Sequence, residues 1–215
     1  MRDLSEPALV WTGKVMLDAR VVMPRHAVAV VILASVPSLP DDDRDVRIAA
    51  ELHGHGIATL YVPLLTEDEL QFDSRTTHFR YDADFLAGRF IDVAQWLAKN
   101  RATNGLPVGY AGSSGGAGGA LIAAAQRPDL VSAVVSIDGR TDLAADQLRN
   151  IKAPALLVVK DMPVLRMNRE AVTKIRGDRR IEIIHEGGTE AVVQKTVHWF
   201  AAKLALVPAD AYGLV

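Results

Sequence analysis

The stretch Val108-Gly-Tyr-Ala-Gly-Ser-Ser-Gly-Gly-Ala-Gly-Gly-Ala-Leu121 constrains this chain more than any other. A short apolar run ends in Gly112-Ser113-Ser114-Gly115-Gly116, and small residues then open a helix that stops before Pro128. Read as strand, turn and helix, it holds Gly-x-Ser-x-Gly with Ser114 at the centre. A sharp strand-to-helix turn needs glycines two residues before and after its serine, because Cβ atoms do not fit there. The turn strains the serine and exposes its hydroxyl beside the N-terminus of the following helix. A glycine-rich run alone matches this pattern by accident. Placement between an apolar strand and an Ala/Gly-rich helix gives it weight.

Strands and helices alternate on both sides of this turn. Residues 8 to 34 read as strands, with Lys14 to Met23 mixed in polarity, as in an edge or hairpin strand. Val28-Ala-Val-Val-Ile-Leu33 is continuously apolar, the mark of a strand covered on both faces. A helix follows over about Arg44 to Leu52, and Ala58 to Val62 is the next buried strand. Residues 64 to 78 read as a polar, acidic connection, after which Ala83, Leu86, Phe90, Val93 and Leu97 share one helix face. Three more apolar strands follow the serine turn: Ala133 to Ile137, Ala155 to Val159 and Ile181 to Ile184. A helix over about Asn168 to Arg176 separates the last two, and the final helix buries Val193, Val197, Phe200 and Leu204. The alternation predicts an α/β fold, a mostly parallel sheet with helices on both faces, as one domain over 1–215.

Composition narrows the chemistry. The 215 residues are 49% hydrophobic and 23% charged, as in a soluble globular protein, and suffice for a substantial core. A net charge of -2 without a basic run points to no nucleic-acid or anionic-membrane partner. With no cysteine, disulfides, thiolate metal sites and a cysteine nucleophile are excluded. Met1 to Pro7 lacks the apolar core of a signal peptide, and no apolar run approaches the ~20 residues of a membrane span. The expected location is cytoplasmic. Nothing in the pattern selects an oligomeric state.

The chain resembles the α/β-hydrolase superfamily, and within it the dienelactone-hydrolase-like serine hydrolases. Besides the serine turn, the resemblance runs through Gly56 to Thr66, Gly105 to Tyr110, Ala133 to Leu143 and Ala153 to Val159, ending near Trp199-Phe200. It implies an α/β-hydrolase fold without a large lid domain, a small-molecule ester or lactone substrate, and no cofactor. It makes Ser114 the nucleophile of the elbow and Asp161, after the strand ending at Val159, the triad acid. The family commonly has two glycines before that acid, whereas here Lys160 follows the strand directly. Residue by residue, Asp161 also reads as a helix cap or a partner of Lys160 or Arg166. Asp138, after the preceding strand, is the alternative acid or simply a turn residue in Asp138-Gly139.

The base is the difficulty. A free serine is a weak nucleophile near neutral pH and needs a group to take its proton. The family supplies a histidine from a loop after the last strand, usually within Gly-x-x-His. Here Ile184 passes straight into His185-Glu-Gly-Gly-Thr-Glu190, and the expected position is deleted. His185, a few residues early, is either the substitute base or a polar strand end beside Glu186. Of the other five histidines, His198 reads as solvated and His78 as a surface residue. His53 and His55 sit at a helix C-terminus, where the dipole favours them, with no carboxylate cluster to complete a metal site. His26 lies in a loop at the amino end of a strand.

The oxyanion hole is thinned as well. Gly115 N–H, directly after the nucleophile, is one donor, and the second comes from the backbone after the strand Val28 to Leu33. Aligned without a gap, that stretch reads Ser35-Val36-Pro37, and proline has no N–H. A shifted loop lets Val36 or Ser38 donate instead. Losing one donor costs about a hundred- to a thousandfold in turnover. Three readings follow: a serine hydrolase using Ser114, Asp161 and His185; a catalytically silent relative that binds a small molecule or protein in the old pocket; or an assembly role. On the missing histidine and Pro37, His185 is expected to fall short of a direct hydrogen bond to Ser114.

Overall fold

The structure is a computed structural model and describes residues 5–36 and 43–204. An eight-stranded sheet forms its centre. Strands β1 (Ser5–Trp11) and β2 (Met16–Val22) make an antiparallel hairpin, with Gly13 at φ 78 in the turn. Strands β3 (Ala29–Ser35), β4 (Ile57–Pro63), β5 (Val108–Ser113), β6 (Ala133–Ile137), β7 (Ala155–Val159) and β8 (Arg179–Ile183) follow. Their order is β1-β2-β4-β3-β5-β6-β7-β8, and all pairs from β4 to β8 are parallel. This is the mostly parallel sheet that the alternation of elements predicts.

Six α-helices among the described residues cover it: α1 (Arg44–Gly54), α2 (Glu67–Thr76), α3 (Ala83–Lys99), α4 (Ser114–Gln126), α5 (Met162–Lys174) and α6 (Gly188–Leu204). Because side chains alternate along a strand, each continuous apolar run feeds two cores. Val30 and Ile32 of β3 point into the cluster with Phe90 of α3 and Leu121 of α4. Val31 and Leu33 point the other way, to Ile48 and Leu52 of α1 and Val197 and Phe200 of α6. Glycines bring α4 close to its neighbours: a Cβ on Gly119 would lie 2.7 Å from the Leu86 Cβ of α3. None of the helices among the described residues is long and apolar enough to cross a membrane.

Two expectations are corrected. Residues 64–78 are not a plain connection, because α2 fills most of them. Thr66 Oγ1 accepts from Glu69 N (3.2 Å) and Glu69 Oε2 accepts from Thr66 N (2.9 Å), a reciprocal cap that starts the helix despite its acidic surface. The helix expected from about Asn168 begins at Met162, with Pro163 in its first turn, where the missing N–H costs nothing.

Candidate active site

Val36, Ser114, Asp138, Asp161 and His185 all follow the carboxyl ends of parallel strands, where α/β sheets collect their loops. β5 ends at Ser113 and α4 starts at Ser114, which adopts φ 51. A non-glycine residue in that left-handed region costs about 1–2 kcal/mol. The flanking glycines explain how the turn closes: a Cβ on Gly112 would lie 2.7 Å from the Gly116 carbonyl oxygen. Ser114 is half-buried, and its hydroxyl makes no hydrogen bond to any described residue. Its carbonyl accepts from Arg140 N at 3.0 Å.

Gly115 N–H falls in the first turn of α4, so no intrahelical acceptor claims it. Val36, the last described residue after β3, stands beside this turn: its Cγ2 would be 3.4 Å from a Cβ on Gly116. Pro37 and Ser38, on which the second oxyanion donor turns, lie outside the described residues.

The two acid candidates do different things. Asp161 is exposed at the N-cap position of α5, and its side chain accepts no capping hydrogen bond. Arg166 pairs instead with Glu170 at 3.0 Å. Asp138, directly after β6 with φ 45, accepts from Lys160 N at 2.7 Å and Asp161 N at 2.8 Å through one oxygen, Oδ1. The structure therefore brings Asp138 and the Asp161 backbone together.

His185 is exposed, and no hydrogen bond links it to Ser114 or to any other described residue. Ile184 before it still pairs with β7, donating to Val159 O at 2.8 Å. β8 is three strands from β5, a lateral offset of roughly 14 Å at about 4.8 Å per strand. Only Ile184 to Gly187 connect β8 to α6. Of the other histidines, His53 bonds Thr59 Oγ1 at 2.9 Å, and His26, His55, His78 and His198 are exposed. Groups of three or more His, Cys, Asp or Glu that could hold a metal do not occur among the described residues.

A strap missed by the sequence reading borders the serine. After α2, the 3-10 turn Phe79–Tyr81 lies on the start of α4, and a Cβ on Gly115 would overlap the Arg80 carbonyl oxygen. Fully buried Asp73 shapes this strap, accepting from Phe79 N (2.7 Å), Arg80 N (3.1 Å) and Arg80 Nε (2.6 Å). Burial works to raise the Asp73 carboxyl, but the N–H groups of Arg80 and Phe79 and the Arg80 guanidinium outweigh it and hold it below the ordinary aspartate range. Arg89, buried on α3, ties the front of α2 by bonding Glu69 Oε1 (2.5 Å) and Thr12 Oγ1 (2.7 Å). The Arg140 guanidinium sits 5.2 Å over the Tyr81 ring and pairs with both carboxylate oxygens of Asp142. The signal in the sequence was Thr66-x-x-Glu69; nothing local announced the contact with Gly115.

Comparison with known proteins places this geometry. The chain is 38% identical to a dienelactone hydrolase from Anabaena variabilis whose crystal structure covers 94% of this chain and is itself covered to 98%, with a TM-score of 0.87. Est1E from Butyrivibrio proteoclasticus (13% identity, 93% and 99% coverage, TM-score 0.74) and the esterase domain of a Rhodothermus marinus protein (15%, 94% and 100%, 0.73) share the fold. Two Mycobacterium tuberculosis proteins, provisionally named phosphoribosyl transferases, are 38% identical over 211 residues. That match takes in 93% of this chain but 46% of each relative, so the chain spans about half their length. No family model matches the sequence.

Proposed function

The chain belongs to the dienelactone-hydrolase-like α/β-hydrolases, and from that membership we propose that it is a serine hydrolase of the carboxyl-ester or lactone type with Ser114 as nucleophile. One observation carries the reading. Ser114 is held at φ 51 in a turn closed by tightly packed glycines, and such strain persists only where the surroundings enforce it. In this reading Ser114 Oγ attacks the acyl carbon, Gly115 N–H and the backbone near Val36 receive the oxyanion, and Asp161 is the acid. His185, at the carboxyl end of the last strand, is the base that this reading requires.

A second reading is favoured by the unengaged Ser114 hydroxyl and by the lateral offset of His185: a silent member of the family that binds a small ligand or protein partner beside the elbow. The transferase activity in the names of the Mycobacterium tuberculosis relatives stays with those longer proteins.

Labelling with a fluorophosphonate probe separates the two. The hydrolase reading expects stoichiometric modification that disappears in Ser114→Ala and slows at least about a hundredfold in His185→Ala, the scale of lost general-base catalysis. A folded protein that takes up no probe refutes it in favour of the silent reading.

A further inference from the structure

We propose that Asp138 is a positioning residue, whose carboxylate anchors the β7–α5 connection and so presents Asp161, rather than being a triad acid itself. The inference rests on the hydrolase reading for the use of Asp161, and on hydrogen-bond geometry alone for the anchor.

Asp138 is tied to the connection at both ends. Its backbone N–H donates to Val158 O at 2.9 Å, and its Oδ1 accepts the N–H groups of Lys160 and Asp161 at 2.7 and 2.8 Å. The φ of 45 that aims the side chain this way is one that aspartate tolerates better than most residues. Both lone pairs of Oδ1 are committed to these backbone N–H groups, so this oxygen serves the anchor, and the labelling arm of the test below decides whether Oδ2 has a further role. Asp161, by contrast, keeps an exposed side chain without a capping bond. Where the family's two glycines are missing, Asp138 satisfies the N–H groups that the abrupt strand-to-helix turn leaves over.

The same turn reaches the nucleophile. A Cβ on Gly139 would overlap Ser136 Oγ and lie 2.8 Å from the Ala117 Cβ of α4, so the turn packs tightly against the elbow helix. The Gly139 carbonyl accepts from Nδ2 of fully buried Asn168 on α5 at 2.8 Å. Arg140 N then donates to the Ser114 carbonyl at 3.0 Å. Three consecutive residues thus bind the acid's connection, the helix after it, and the strained serine.

The test compares Asp138→Gly, which suits the left-handed backbone but removes the carboxylate, with Asp138→Asn, which keeps an acceptor oxygen and removes the charge. Amide hydrogen exchange at Lys160 and Asp161 and the fluorophosphonate labelling rate of Ser114 are read on the whole chain. The anchor predicts that Asp138→Gly exchanges both amides faster by about tenfold or more and labels more slowly, and that Asp138→Asn rescues most of both losses. Asp161→Asn should slow labelling while both amides stay protected. Unchanged protection in Asp138→Gly overturns the anchor. Labelling lost in Asp138→Asn with protection intact overturns the division of roles and makes Asp138 the acid. If the unmodified chain is not labelled, the hydrolase reading fails, and the exchange data still decide the anchor.

Discussion

Replacing Ser114 by glycine should stabilise the protein, although glycine ordinarily destabilises a helix. Ser114 opens α4 at φ 51, a conformation costing about 1–2 kcal/mol for a residue with a Cβ and almost nothing for glycine. The extra freedom of glycine in the unfolded chain returns about 0.5–1 kcal/mol of that gain. The hydroxyl has no hydrogen bond to lose. The net expectation, measured against Ser114→Ala, which keeps the Cβ, is a gain of about 0.5–1 kcal/mol, or ~1–4 °C in Tm for a chain of this size. Ala50→Gly, exposed in the middle of α1, is the control and should lose about 1 kcal/mol. Thermal and denaturant unfolding of the three variants measure both signs. If Ser114→Gly proves less stable than Ser114→Ala, the elbow stores no strain, and the argument that its surroundings enforce a reactive serine fails with it.

Gly115→Ala should drive the strap off the elbow, since its Cβ would meet a backbone carbonyl that has no rotamer to change; about 1–3 kcal/mol of stability should go. Faster amide exchange over residues 77–82 would report the displacement. Asp73→Ala removes a fully buried carboxylate and leaves Arg80, 18% exposed, without its partner, so about 3 kcal/mol should be lost near pH 7. Because the folded Asp73 value is depressed, its contribution is present above the unfolded value and lost as pH falls through the folded one. The gap between wild type and Asp73→Ala should therefore close below about pH 4, and urea melts across pH 2 to 7 would show it. Gly119→Ala should cost about 1–3 kcal/mol by prising α4 from α3, which chemical denaturation can measure.

The sheet was legible because its signals are local. Ala133–Ile137 and Ala155–Val159 are bounded apolar runs, and the structure ends both strands where the runs end. The serine turn was legible for the same reason, its glycines being steric requirements of one short segment. α2 was hidden because an acidic surface masked a capping box, and the first turn of α5 because the residues after Val159 read as the connection carrying the acid, although Pro163 suits a helix N-terminus.

What the sequence determined by itself is the set of parts: the apolar runs that become strands, a strained serine with glycines two residues to either side, two aspartates after strands, and a histidine after the last. Which of them meet was decided only in three dimensions. The strand order puts three intervals between Ser114 and His185, while it seats β6 beside β7 so that Asp138 grips the backbone of Asp161. The Arg80 carbonyl finds Gly115 from a segment more than thirty residues away. Short-range sterics and hydrogen bonds are written in neighbouring residues; the distance between two side chains on different strands is set by sheet order and helix packing, which no local pattern contains.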